Sequence, residues 1–395
     1  MDKQTPFRGT FTGLPVLVTG HTGFKGSWLS IWLAELGARV IGYSRDSGIN
    51  PRNLELCHLR SRITHVRGDI SDCESLKRTI ETHQPQLVIH MAAQSLVKES
   101  YQEPKRTFDT NVGGTVNVLE AIRKTQSVRA FIGVTADKVY ENQEWVWGYR
   151  ENDRLGGHDP YSVSKAIAEL AIGSYRRSWG ESGFADHPVA IASTRGGNVI
   201  GGGDFAKDGL VPDCIRALMQ GVPVKVGSPQ SVRPWQHVLE LLSGYLWLAV
   251  HLLQEPASFS EAWNFGPQEQ ESVTCETIAK ELIRLWGASS DSYQAAQASP
   301  NQPHETLVLR LNWTKAAVRL RWRPTYNWHE GLTKIVDWFK EYDRQEKQRA
   351  AGGPAVDMYP LCIAQIDEYV QRARTLGIEW ALPLHQANQN VPSLA

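Results

Sequence analysis

No stretch of this 395-residue chain is apolar for long enough to cross a bilayer as a helix. There is no surplus of charge either: 42 Lys and Arg balance 42 Asp and Glu, and no long basic run occurs. Nucleic acid and anionic membrane are therefore not expected partners. Cysteine is scarce. Cys57, Cys73, Cys214, Cys275 and Cys362 are scattered and form no C-x-x-C pair. That excludes a disulfide framework or a zinc site and suits reduced thiols in the cytoplasm. No His, Asp and Glu cluster has ligand spacing, so no metal is expected. Met1 to Thr12 is polar and lacks the apolar core of a signal peptide. Internal repeats and low-complexity blocks are absent too.

What is present is enough apolar residue, 41%, for a large core. Val16–Thr19, Arg39–Gly42, Ile63–Val66, Leu87–His90 and Phe131–Val134 are short, β-branched runs that read as strands covered on both faces. Helical patterns lie between them, such as Trp28–Leu36, closed by Gly37, and Thr110–Lys124. This βαβα rhythm predicts an α/β fold: a doubly wound, Rossmann-like parallel sheet, continued by Val189–Ala192. Near Gly196 the pattern becomes richer in glycine, proline and tryptophan. Residues 1–195 are expected to form mainly a dinucleotide-binding domain. Residues 196–375 are expected to form a smaller C-terminal substrate-binding lobe, some of whose segments return to the sheet. Residues 376–395 read as a disordered tail.

Gly20-His-Thr-Gly23-Phe-Lys-Gly26 follows the first strand and opens the first helix. Glycines there let the backbone approach a pyrophosphate, and the helix N-terminus supplies N–H groups and partial positive charge. The expected cofactor contacts in this loop are Gly20, Gly23, Phe24, Lys25 and Gly26. The end of the second strand offers Ser44 and Arg45, with no acid before Asp46. An acid there would bind a ribose 2′-hydroxyl, whereas Arg45 could face a 2′-phosphate, so NAD and NADP both stay open. Asp69 and Ile70 follow the third strand, beside the adenine position. Ala92, Ala93 and Gln94 follow the fourth, where a cofactor would cross the sheet edge.

Tyr161 and Lys165 stand four residues apart on a predicted helix and so share a face. Val163, Ala166, Ile167, Leu170 and Ala171 form its apolar stripe, and Pro160 suits its first turn. An ammonium and an oxidised nicotinamide ring together lower a phenol's pKa. The phenolate can then take a hydroxyl proton as hydride leaves. Asn111 is expected to order the helix or a water near Lys165. Thr135, at the end of the fifth strand, is included among the cofactor contacts. Strand alternation nevertheless turns its side chain opposite to that of Ala136.

Together these features resemble the extended short-chain dehydrogenases over about residues 14–375. A tighter likeness is to the CDP-glucose 4,6-dehydratase family. It is carried by Gly20–Trp28, Ala92–Val97, Asp137–Asn142, Trp147–Glu151, Leu155–Gly157, Asp159–Tyr161, Gly197–Asp204 and Arg233–Val238. The resemblance implies oxidation of a nucleotide sugar at C4, loss of water across C5–C6, and return of the hydrogen to C6. Asp137 would then protonate the departing hydroxyl and Lys138 would take the C5 proton, which requires a protonated carboxyl beside a neutral amine. Arg233 suits a diphosphate, Asn198 the diphosphate or sugar, and Ser95, Trp235 and His237 the substrate pocket. The chain departs from the family at Ala136, where a hydroxyl residue usually stands, at Gly209, where a basic residue is usual, and at Val163. A C4 epimerase or oxidoreductase on a related nucleotide sugar is the alternative, and an impaired nucleotide-sugar-binding homologue is a third reading. Similar proteins are usually dimers, so a homodimer or higher homo-oligomer is expected.

Overall fold

A computed structural model describes residues 5–45, 53–180, 188–268, 273–295 and 309–383. Its centre is a seven-stranded sheet of β1 (Pro15–Thr19), β2 (Arg39–Ser44), β3 (Thr64–Arg67), β4 (Leu87–His90), β5 (Ala130–Val134), β6 (Ala190–Gly196) and β7 (Ala262–Phe265). The spatial order is β7-β6-β5-β4-β1-β2-β3, and every neighbouring pair is parallel. The order reverses between β1 and β4. In doubly wound sheets a ligand lies in the crevice beyond the strand ends at that reversal.

Both faces of the sheet are buried, which is why its strands read as unbroken apolar runs. Val16, Val18, Ile89 and Ile132 pack into one core. Their neighbours Leu17, Val88 and Phe131 pack into another on the opposite face. The first core holds α1 (Phe24–Glu35), the second α2 (Cys73–His83), α3 (Gly114–Arg123) and α4 (Pro160–Tyr175). Gly37 follows α1 with φ +80°, the left-handed turn that ends the helix. In α4, Pro160 occupies the first turn and the Asp159 carboxylate accepts from the Ser162 N–H at 2.9 Å, so the predicted start is seen.

The apolar residues of α4 are divided between core and surface. Ile167 and Leu170 are exposed, at 38% and 58%, while Ser164, Lys165 and Glu169 are buried. Ser164, Lys165 and Glu169 face inward because they meet partners at the strand ends, whereas Ile167 and Leu170 face out and Ala166 of the same stripe stays buried.

The second half of the chain adds β7 and α5 (Leu210–Gln220), α6 (Val238–Gln254), α7 (Cys275–Trp286), α8 (Trp328–Ala350) and α9 (Tyr359–Thr375). Helix α6 is apolar nearly all round and buried throughout Val238–Leu252, lying against β5 and β6. The two halves meet at the glycine run 201–203. The Trp28 indole donates to the Gly202 carbonyl at 2.8 Å, and a Cβ on Gly202 would sit 2.1 Å from the Trp338 ring.

The tail expectation is also corrected. Trp380 is fully buried, stacked 5.0 Å from Phe7 and 5.6 Å from Tyr369. The chain is therefore held at least to Pro383. Residues 384–395 lie outside the described residues.

Candidate active site

The glycine loop fits a dinucleotide. Gly20 has φ +76°, and a Cβ there would lie 2.7 Å from the Ala92 nitrogen. At Gly26 a Cβ would lie 2.2 Å from the Gly20 carbonyl, so only glycine lets α1 close on the turn. The loop thus runs bare backbone along the sheet crevice, with the N-terminus of α1 opening at Phe24. Thr22, not identified from the sequence, is tied to Ser44 by hydroxyl contact at 2.8 Å. Arg45 and Asp69 form a half-exposed pair at 3.9 Å, and Asp69 also accepts from the Ser71 N–H at 2.9 Å. Asp46 lies outside the described residues.

Two loop positions differ from the expectation. The Phe24 ring packs against Gly201, on the side of the second lobe. Ile70 is a core side chain wedged against Gly114, because the strand end turns it beneath α3. Lys25 is drawn inward among charges. Burial lowers its pKa, while Asp137 and Asp204 oppose that fall.

At the end of β4, His90 ties the crevice together. Thr19 Oγ1 accepts from the Met91 and Ala92 N–H groups at 3.2 and 3.3 Å, so its own hydrogen goes to His90 Nδ1 at 2.7 Å. His90 Nε2 then donates to Thr115 Oγ1 at 3.1 Å, and Thr115 donates to the Asn111 carbonyl at 2.6 Å. Burial lowers the His90 pKa to about 3, helped by Lys165, so the ring is neutral.

Asn111 sits in a π-turn, Asp109–Gly113. Its amide donates to the Gln94 carbonyl and to Ser164 Oγ, both at 2.9 Å, and its oxygen accepts from the Gln94 N–H at 2.8 Å. Its side-chain polar atoms are thus engaged by protein, and they tie the loop after β4 to α4. Gln94 is likewise occupied internally, donating to Thr107 and to the Leu96 carbonyl at 3.0 Å each. Ser95 is exposed at the same edge, beside Ala92 and Ala93.

At this edge Asp137 lies near Tyr161, Lys138, Arg233 and Lys25, and Lys25 in turn lies near Lys165, one turn beyond Tyr161 on α4. Burial raises the Tyr161 phenol well above its ordinary range, and the Asp137 charge raises it further. Burial lowers Lys165 to about 7, and Lys25 adds to the fall while Glu169 opposes it. Lys165 Nζ donates to the Val134 carbonyl at 3.3 Å. Burial also raises the Asp137 carboxyl, against the pull of Lys138, Arg233 and Lys25. A carboxyl raised in this way is brought nearer to the protonated state that an acid needs.

Gly197 explains why the next loop comes so close. A Cβ there would stand 3.3 Å from Asp137 Oδ2 and 2.9 Å from Pro234. Asn198 is half-buried in this loop, and its carbonyl accepts from the Gln236 N–H at 3.1 Å.

Three expected contacts are corrected. Thr135 turns its hydroxyl onto Glu169 at 2.8 Å and the Thr194 carbonyl at 3.1 Å, as strand alternation requires. Trp235 is a core side chain, 5% exposed, and so fills volume instead of facing a ligand. His237 caps α6, accepting from the Leu239 N–H at 3.4 Å, and is buried between Trp28 and Tyr326. Among the described residues no His, Cys, Asp and Glu cluster could hold a metal. Among them, too, no helix is long and apolar enough to cross a membrane.

The pattern of the GDP-mannose 4,6 dehydratase family matches residues 17–335. The chain belongs to that family. Within it, a CDP-glucose 4,6-dehydratase of Salmonella typhimurium is 47% identical over 335 residues, covering 85% of this chain and 92% of that protein. That bears out the resemblance seen in the sequence. Two solved structures share the fold. A UDP-glucose 4-epimerase of Thermus thermophilus, in complex with NAD, is 26% identical with a TM-score of 0.70, covering 83% of this chain and 99% of that one. A double mutant of a Streptomyces venezuelae dTDP-glucose 4,6-dehydratase, with NAD bound, is 25% identical with a TM-score of 0.69, covering 82% and 97%.

Sequence reasoning missed several residues of this family site. Glu169 and Arg195 form an ion pair at 2.9 Å with both side chains 4% exposed. Asp204 is half-buried, and its desolvation raises the carboxyl to about 6. The one available signal for Glu169 was spacing: it continues the Tyr161–Lys165 stripe by another four residues.

Proposed function

We propose that this chain is a nucleotide-sugar 4,6-dehydratase that converts CDP-glucose to CDP-4-keto-6-deoxyglucose with NAD as resident cofactor. One observation carries the chemistry. The Asp137 carboxyl lies near enough to the Tyr161 phenol for its charge to act on it, so the oxidation site and the elimination site share one edge. The choice of CDP-glucose rests on the 47% identity with the Salmonella enzyme.

The cradle of Gly20, Gly23 and Gly26 would hold a pyrophosphate, and Ala92 and Ala93 would admit the nicotinamide end. Arg45 is countered by Asp69, which suits a free ribose hydroxyl better than a phosphate. When bound, NAD supplies the acceptor for the C4 hydrogen and gives it back at C6. Burial holds the Tyr161 phenol high; with the cofactor bound, the positive ring and the Lys165 cation would bring it down so that it takes the O4 proton. The resulting ketone acidifies C5–H. Lys138 takes that proton, and Asp137 gives its own to the C6 hydroxyl, which leaves as water; once hydride is back at C6, Lys138, in exchange with solvent, returns a proton to C5. Arg233 and Asn198 would receive the diphosphate, and Ser95 the sugar. Residues 1–195 thus serve mainly the cofactor and 196–375 mainly the nucleotide sugar.

The outward stripe of Ile167 and Leu170 on α4 suits burial against a second copy, so we read the protein as a homodimer or higher homo-oligomer. All five cysteines are free, in keeping with a cytoplasmic place. Incubation with CDP-glucose and NAD, with the product followed by mass, tests the reading. Loss of one water without net NADH supports it. Inversion at C4 with no mass change would make the chain an epimerase, and net NADH a dehydrogenase. Bound but unchanged substrate would make it a binding homologue.

A further inference from the structure

One carboxylate in the heart of the site takes no part in the proposed chemistry. Glu169 lies one turn beyond Lys165 on α4 and is almost fully buried. Three different residues converge on it. Thr135, at the end of β5, donates its hydroxyl to Oε2 at 2.8 Å. Ser193 of β6 donates to Oε1. Arg195, also of β6, donates to Oε1 at 2.9 Å.

From Arg195 the network runs back to the catalytic loop. Its guanidinium donates to the Tyr140 hydroxyl at 2.7 Å and the Glu151 carbonyl at 3.0 Å. The Tyr140 hydroxyl in turn donates to Asn264 Oδ1 at 2.8 Å. Asp137 and Lys138 are thus bracketed. The residue two before Asp137 and the residue two after Lys138 are both anchored, directly or through Arg195, on the same carboxylate. A buried ion pair alone is weak evidence of a stabilising role. A buried pair whose arms end on both sides of two reactive groups has a more specific use.

We propose that Glu169 is a positioning residue of the reaction: it holds the Asp137–Lys138 loop in register with the Tyr161–Lys165 pair on its own helix. The role rests on the dehydratase reading above. It also has an electrostatic side. Lys165 faces Lys25 from α1 and His90 from the end of β4, one cation and one neutral ring, and Glu169 is the carboxylate that supports its charge. Arg195 consumes part of that negative field, so the carboxylate is shared between fastening the loop and sustaining the ammonium.

The test compares three variants with the wild-type chain. Thr135→Val cuts one arm and keeps the charge. Glu169→Gln keeps the shape and removes the charge. Glu169→Asp keeps the charge and shortens the reach. Thr135→Val should lower kcat about tenfold or more with KM and melting temperature little changed. The pH at which Lys165 titrates should stay fixed in it. Glu169→Gln should lower kcat too, and should move that titration down by about one unit. Glu169→Asp should restore the titration but not kcat. The titration is read independently of substrate by competitive acetylation of lysines across pH, resolved by peptide mass. Wild-type turnover run alongside tests the dehydratase reading by itself. If the Gln variant does not fold, Thr135→Val and Glu169→Asp decide. Unchanged kcat in Thr135→Val, or kcat losses that only follow lost folded protein with an unmoved Lys165 titration, would overturn the proposal.

Discussion

The Thr135 hydroxyl donates to the Glu169 carboxylate at 2.8 Å, which turns the side chain before Ala136 away from Asp137. Ala136, buried and on the opposite side of the chain from Thr135, has only a methyl group to offer, in extended backbone (φ −155°, ψ 167°) that any residue adopts. Its neighbour does not stand in for the hydroxyl usual in this family.

Ala136→Ser should raise turnover. A restored hydrogen bond to the reacting hydroxyl is worth about 1–3 kcal/mol, or roughly ten- to a hundredfold. Steady-state kcat on CDP-glucose checks it. An unchanged rate would mean that the site has compensated.

Lys138→Ala should stop water loss while leaving the cofactor cradle intact, because Lys138 lies at the sheet edge and not in the glycine loop. Product mass and NAD binding by fluorescence quenching check it. Equal dehydration in the variant would remove Lys138 from the mechanism.

The pH dependence of catalysis follows from Lys165. Its pKa lies near 7, so its cation is present below that value and lost above it. The limb of kcat that needs the cation should fall as pH rises through this region. Lys25→Met removes the positive neighbour and should move that limb to higher pH by about one unit. A limb that stays in place would show that Lys25 does not reach Lys165 in the working enzyme.

The pH dependence of stability follows from His90 and His237. Burial lowers both to about 3 from an ordinary 6.5. Between those values the unfolded chain binds protons that the folded chain refuses, so stability should fall as pH drops from 6.5 toward 3. Each ring would contribute about 3 kcal/mol by pH 4. His237→Asn should show a shallower acid loss in thermal melts, and an identical slope would contradict the assignment.

Trp380→Ala should destabilise the fold by about 3–5 kcal/mol, since it empties a fully buried site between Phe7 and Tyr369. Thermal or urea unfolding measures it. A negligible effect would return this segment to the status of a tail.

How much of this was legible without coordinates differs from element to element. Leu87–His90 was readable to the residue, because a strand buried on both faces advertises itself as an unbroken apolar run. The Tyr161–Lys165 pair was readable because helix periodicity alone places four-apart residues together. Glu169 was not, since nothing in α4 says that β6 will present Arg195 and Ser193 to it. The exposure of Ile167 and Leu170 was not readable for the complementary reason: apolar periodicity names a stripe, not the side of the helix on which the rest of the protein lies. Trp235 and His237 sit in a motif whose neighbour Arg233 reaches toward Asp137, yet both point the other way into the core. In Trp380 a single aromatic residue, without periodicity, fixes the chain by filling one cavity.

The most direct test of the central claim follows the hydrogens. CDP-glucose deuterated at C4 is turned over in ordinary water with NAD, and the product is read by mass and NMR. The account predicts loss of one water, the deuterium at C6, a solvent hydrogen at C5 and no net NADH. Deuterium retained at C4 with all oxygens present would contradict it.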